Sequence, residues 1–255
     1  MTLGLPLSTM YAFLLVLARV SGLIAFLPVP GIRDAVSPIR IALALCITFA
    51  LFPVWPSLPN ELVEISQLCA WALLEAGFGL AAGLAVAMLA ESFQLAMQFL
   101  GLQVGYGYAT TVDPTSQASS GVLQVLTGLM TSLLFFALGL DRQLLRVLAA
   151  SFQKFPAGSW APTAASLDGI VRLGGSMFSF GLRMAMPVIG LMLLIDVALA
   201  LLGRMQQQLQ LLSLAFPIKM LMALLTLMIL SPTLARLYQA ASHETMTALW
   251  HSVGR

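Results

Sequence analysis

Long apolar runs, each about the length of a bilayer-crossing helix and separated by prolines, constrain this chain more than any other feature. A helix spanning a bilayer needs about 20 mainly apolar residues. Runs of this kind cover roughly Ser8–Leu27, Ile39–Trp55, Ser66–Ala90, Val122–Leu140, Ser176–Leu202 and Leu211–Leu230. Pro28 and Pro30 with Gly31 end the first; Pro53, Pro56 and Pro59 end the second; Pro156 to Pro162, around Gly158, precede the fifth. Proline lacks the amide that a helix interior needs, so each cluster marks a break. The expected fold is all-α: a polytopic integral membrane protein of about six long hydrophobic helices, with kinked segments and a central polar loop. Composition agrees, since only 9% of the 255 residues are charged and mean hydropathy is +0.96, where soluble domains carry about 25% charged residues. Residues 1–232 form the expected membrane-embedded domain, and 233–255 are a tail polar enough to leave the membrane. The N-terminus has no basic n-region or small-residue cleavage site, so its apolar run reads as a retained span. Asp141–Phe152 reads either as a short amphipathic helix or as a continuation of the fourth span.

Several function classes are excluded on chemistry. A net charge of +2 with no lysine or arginine cluster gives nucleic acid nothing to bind. Cys46 and Cys69 lie in apolar runs without CxxC or metal-ligand spacing, so buried, inert thiols without a disulfide are expected. No HExxH, GxSxG or P-loop occurs, and His243 and His251 both lie in the solvated tail. The chain is not expected to be an enzyme, and no catalytic, cofactor or metal site is assigned.

The interval Glu91–Gly121 is neither a plain span nor a short turn. At 100° per residue, Glu91, Gln94, Gln98, Gly101 and Gly105 fall within roughly 80° of one another, forming one polar and small stripe on a helix. Gly105, Tyr106, Gly107 and Tyr108 then lead out of it, because glycine favours flexible backbone. Asp113-Pro114 opens a turn, or caps a helix with proline at its first position. Thr115, Ser116, Gln117, Ser119, Ser120 and Gly121 follow as a polar loop. Irregular backbone at membrane depth is tolerated only where protein buries it or where it lines an aqueous path. An ordinary exposed loop is the other reading.

Two further patterns concern assembly. Glu75, Gly79, Gly83, Ala87 and Glu91 recur every four residues, a small-residue groove between two carboxylates that includes a GxxxG. Glu75 would cost about 2.5–3.5 kcal/mol at a helix centre, so this face is expected to meet protein. Arg183 and Asp196 are 13 residues apart, about 20 Å along a helix, and point in different directions. Pro187 removes the amide that would bond to the Arg183 carbonyl, and Pro217 does likewise for Ser213, shortly before Lys219. Arg19 sits within the first span. Each such charge needs a partner or water, and a transport pathway, snorkelling and pairing between subunits are the three readings. Simple alternation of the spans places Arg142, Arg146 and Lys154 outside if Arg33 and Arg40 are inside, against the positive-inside rule. Either one run is not a span, or partners hold the helices in place of lipid.

These residues resemble a known family. The pieces are Ala18-Arg-Val-Ser-Gly22, Leu27-Pro-Val-Pro30 and Pro38-Ile-Arg40, then Glu75-Ala-Gly-Phe-Gly79. Gly101-Leu-Gln-Val-Gly105 runs into Ala109-Thr-Thr-Val-Asp-Pro114, and Ser151-Phe152 is followed by Phe155-Pro-Ala-Gly158. Met184-Ala-Met-Pro187, Asp196, Arg204 and Phe216-Pro-Ile-Lys219 complete the set. In this order they resemble FliR, the export-gate component of the bacterial flagellar type III secretion system, whose injectisome counterparts share the fold. Gln207-Gln208-Leu209-Gln210 stands where a Pro-Gln-x-Asn pattern is expected, and Tyr106 and Tyr108 also depart from the pattern.

The resemblance implies one FliR assembling with several FliP and FliQ chains into a helical ring in the inner membrane, at the flagellar basal body, with FlhB attached. Unfolded flagellar subunits are the cargo. It implies a pore plug at about Tyr106–Gly121 and no cofactor. The stripe of Glu91, Gln94, Gln98 and Gly101 is expected to face the pore, with packing against another helix as the other reading. Helix packing and inter-subunit pairing then fall to Glu75, Gly79, Gly83, Ala87, Arg183, Asp196 and Lys219. The competing reading is a stand-alone secondary transporter using Glu75, Arg183 and Asp196 at a midplane site.

Overall fold

Leucine, alanine and methionine dominate the apolar runs, and all three are strong helix formers. A computed structural model describes residues 6–27, 37–58, 63–104, 122–156, 158–161, 164–205 and 211–254, and among these only helix and irregular backbone occur. The helices are α1 (Leu7–Phe26), α2 (Ser37–Ala50), α3 (Ile65–Val104), α4 (Val122–Ala137), α5 (Leu140–Lys154), α6 (Ala164–Met205) and α7 (Leu211–Gly254). A single 3-10 turn, Phe52–Val54, follows α2.

The chain is all-α with several long apolar helices, as expected, and the helices differ widely in length. Helices α2 and α4 have 14 and 16 residues, about 21–24 Å at 1.5 Å per residue, less than the ~30 Å hydrocarbon core. Four helices contain candidate spans: Leu7–Phe26, Ile65–Val104, Asp168–Arg204 and Pro217–Trp250. Helices α3, α6 and α7 have 40, 42 and 44 residues, about 60–66 Å, twice that thickness. Pro187, Pro217 and Pro232 lie inside α6 and α7 without ending them. In apolar surroundings every further unpaired backbone group costs several kcal/mol, so helix continues past a proline that would end it in water. Helix α7 continues through Pro232, and Tyr238, Ala241, Ser242, Thr245 and Met246 beyond it are buried.

Helices α4 and α5 are separate because Gly139 adopts left-handed backbone (φ 65°), a conformation glycine takes at little cost at a helix end. Its N–H donates to the Phe136 carbonyl at 3.0 Å, and its own carbonyl accepts from Gln143 N–H at 3.1 Å. Asp141 in the first turn of α5 and Lys154 in the last suit the positive and negative ends of its dipole.

The chain divides into two compact units: Met1–Leu89 with Phe135–Gly174 and Ser242–Arg255, and Ala90–Leu134 with Gly175–Ala241. In the first, α1 packs on α2 and its fully buried Leu15, Val16, Val20 and Leu23 form the centre of the core. Phe78 and Val147 pack with Ala150, Phe155, Trp160 and Leu249. In the second, Met97, Leu100 and Val104 of α3 pack with Val188 and Met192 of α6 and Ala223 of α7. Phe93 there stacks edge-on against Tyr238 at 4.8 Å and meets Phe180 at 5.9 Å.

Cys46 and Cys69 are unbonded to each other but exposed, which corrects the buried thiols expected from their apolar neighbours. An apolar helix face in this chain turns outward as often as inward.

Candidate functional site

An arginine inside a span must find an anion, and Arg19 finds Glu75. The two helices approach closely enough for this because glycines face backbone at their crossing. A Cβ on Gly79 would strike the Arg19 carbonyl, one on Gly22 the Ala76 carbonyl, and one on Gly83 the Leu23 carbonyl. The small-residue face expected to meet another helix therefore meets α1 of the same chain, one side chain away from the ion pair.

Each guanidinium nitrogen is engaged. Its Nε forms the ion pair with Glu75 Oε2. Its Nη1 donates to Ser151 Oγ at 2.7 Å, and its Nη2 to the Phe155 carbonyl at 3.4 Å. Its flat faces meet the rings of Phe152 and Phe78, with centroids 4.2 and 4.8 Å away, where the ring quadrupole attracts a cation. Ser151 Oγ donates onward to the Leu148 carbonyl at 2.6 Å. The other carboxylate oxygen, Glu75 Oε1, accepts from the Gly158 N–H at 2.9 Å. Gly158 holds φ +77°, and a Cβ there would run into the Trp71 indole. Arg19, Glu75 and Ser151 are all 0% exposed. The site is a buried ion pair that ties α1, α3 and α5 to Phe155 and Gly158. Three sequence pieces separated by more than 130 residues in all, those around Arg19, Glu75 and Ser151–Gly158, converge on it.

Periodicity alone missed this centre. Arg19 registered only as an isolated charge, and Ser151, Phe152, Phe155 and Gly158 only as pieces of a resemblance. The available signal was scarcity: Arg19 is the one charged residue of the first run, and Glu75 is the one acid of the third.

A second polar centre lies in the other unit. Lys219 of α7 pairs with Asp196 of α6, and Gln103 Nε2 of α3 donates to Asp196 Oδ2 at 3.3 Å. The side chains of Lys219 and Asp196 remain 18% and 37% exposed. Arg183 is exposed and makes no ion pair among the described residues. Glu75, Arg183 and Asp196 thus have different fates: sealed by Arg19, uncovered, and held by Lys219.

Along the polar stripe, Glu91 and Gln98 are exposed and Gln94 and Gly101 half-buried. A Cβ on Gly101 would meet nothing within 4 Å. Ala87 is half-buried. Gly105, Tyr106, Gly107, Tyr108, Asp113, Pro114, Thr115, Ser116, Gln117, Ser119, Ser120 and Gly121 lie outside the described residues. Helix α4 is turned inside out: Thr127, Thr131 and Ser132 are buried, whereas Val125, Leu126, Leu129 and Leu133 are exposed. Thr131 satisfies its hydroxyl on the Thr127 carbonyl at 2.7 Å. Such a helix faces apolar surroundings, not water. Among the described residues, no group of three His, Cys, Asp or Glu is placed to hold a metal.

Residues 10–245 match a family described as bacterial export proteins, family 1. The flagellar biosynthetic protein FliR of Escherichia coli K12 is 30% identical over 220 residues, which covers 86% of this chain and 84% of that protein. The FliR of Pectobacterium carotovorum is 28% identical over 215 residues, covering 84% and 82%, and that of Bacillus subtilis 27% over 222 residues, covering 86% and 85%. Both polar centres fall within the matched region. With so long a match, the chain belongs to bacterial export proteins, family 1, the family of FliR.

Proposed function

We propose that the chain is a structural, pore-forming subunit of the flagellar protein export gate in the bacterial inner membrane, at the flagellar basal body. It assembles with FliP-like and FliQ-like chains, an FlhB-like chain attaches, and unfolded flagellar subunits pass through. Gln94, Gln98 and Gly101 face the pore with Glu91, and Tyr106–Gly121 plugs it at rest. Arg183, lacking a partner among the described residues of its own chain, pairs with a neighbouring subunit.

One observation carries this reading: the chain leaves more apolar length uncovered than a bilayer can cover. Exposed large side chains on α6 run from Phe178 through Leu182, Met186, Leu193 and Leu194 to Leu202, about 36 Å along a helix. The hydrocarbon core is about 30 Å thick and spanning helices tilt by about 20° on average. The remainder requires protein cover. With Arg19, Glu75, Asp196 and Lys219 paired within the chain, the apolar faces and Arg183 are left for that purpose, and family membership points to export as the setting.

Co-expression with FliP-like and FliQ-like chains, purification through a tag on this chain and native mass spectrometry test the assembly. A hetero-oligomer holding one copy is expected; a monomer or homodimer alone overturns it. In the assembled complex, deletion of Thr115–Ser120 should raise ion leak, and unchanged leak removes the plug role.

A further inference from the structure

We infer that the outer face of α5, with the aromatic turn beside it, binds anionic phospholipid headgroups. Helix α5 buries Leu144, Val147, Leu148, Ser151 and Phe152, so its opposite face is left to the surroundings. There Arg142 and Arg146 stand one turn apart, both exposed, on either side of Leu145, which is 37% exposed. Neither arginine has an ion-pair partner among the described residues. Asp141 of the same helix makes no ion pair with either arginine among the described residues, and its Oδ1 is buried. Lys154 adds nothing to the outer face: its Nζ is buried near the Phe155 ring.

Helix α5 packs beside the Phe52–Val54 turn. Phe52 is 60% exposed there, and Phe49, in the last turn of α2, 61%. Trp55 is half-buried, stacks near Phe52 and Phe13 with centroids 5.0 and 5.7 Å away, and donates its indole N–H to the Thr48 carbonyl at 3.0 Å. Exposed phenyl rings are unfavourable in water, and two bare guanidinium groups are unfavourable in hydrocarbon. The headgroup boundary satisfies both: rings and Leu145 enter the acyl edge, while the arginines reach phosphate, which they hold through paired N–H donors. The positive charge selects anionic over zwitterionic lipid.

The test uses the full chain in detergent, titrated with dioleoyl phosphatidylglycerol or dioleoyl phosphatidylcholine, with retained lipid counted by native mass spectrometry. Retention should favour phosphatidylglycerol. R142Q/R146Q should lower that preference by about fivefold per arginine removed, whereas R142K/R146K should keep most of it. On the unaltered chain, about 1 M salt, where the Debye length falls to about 3 Å, should erase the preference. An unchanged preference in the glutamine variant, its loss in the lysine variant, or its persistence at high salt overturns the proposal. So does a glutamine variant that keeps its lipid and loses FliP-like or FliQ-like chains, since the face would then belong to protein.

Discussion

The two compact units each contain one ion pair inside apolar surroundings, and they treat it differently. In the first, Arg19–Glu75 is wholly buried, every guanidinium nitrogen has an acceptor, and even a backbone N–H is committed to the carboxylate. In the second, Asp196–Lys219 has Gln103 for company and stays partly exposed. The helices follow suit. The most apolar window of α1 is 44% buried within the chain, against 17% for α6 and 6% for α7. A buried charge finds no partner in lipid, so its partners must be in the chain itself. An apolar face carries no such demand and can remain uncovered until a neighbour arrives. The first unit satisfies its buried charges from its own sequence; the second leaves its ion pair partly open.

That contrast can be broken at three points. Arg19→Leu or Glu75→Leu strands one buried charge, a loss of about 3–5 kcal/mol. The chain should then give no monodisperse peak in detergent size-exclusion, and the paired variant R19M/E75L should restore it. A single variant that behaves as the parent does would show that the first unit is not sealed. Gly79→Ala, which drives a Cβ into the Arg19 carbonyl, should lower stability by about 1–3 kcal/mol as overpacking. Gly101→Ala, which has open space, should be neutral or stabilising by up to about 1 kcal/mol through helix propensity. Thermal melts that rank the two alike would remove the distinction between closed and open helix faces. Asp196→Asn should cost only about 0–1 kcal/mol in the isolated chain, since a part-exposed pair is screened. A Tm loss as large as that of the Arg19 variants would make the second unit as self-contained as the first.

Much of this was legible in sequence because its causes are local. The first helix ends just before the Pro28–Pro30 break, whereas the left-handed Gly139 that separates α4 from α5 is not read from sequence, which leaves α5 open as a continuation of the fourth run. The four-residue repeat of Glu75, Gly79 and Gly83 announced a close helix contact. It could not announce that the facing helix is α1, because periodicity defines a face and says nothing of what it meets. The same limit applies to Cys46 and Cys69, whose apolar neighbours line outward surfaces. Pro187 and Pro217 lie inside the helices α6 and α7, as expected of prolines within apolar runs, and α7 also continues through Pro232, beyond the expected end of the last run.

The Arg19 centre also imposes a timetable on synthesis. Glu75 follows Arg19 by 56 residues and Ser151 by 132. At about 5–20 residues per second, the carboxylate emerges roughly 3–11 s after the guanidinium, and the serine roughly 7–26 s after it. Until then a nascent α1 placed across the bilayer would hold an uncompensated charge worth about 2.5–3.5 kcal/mol. The counter-charge of the first helix is thus supplied only once the third has been made.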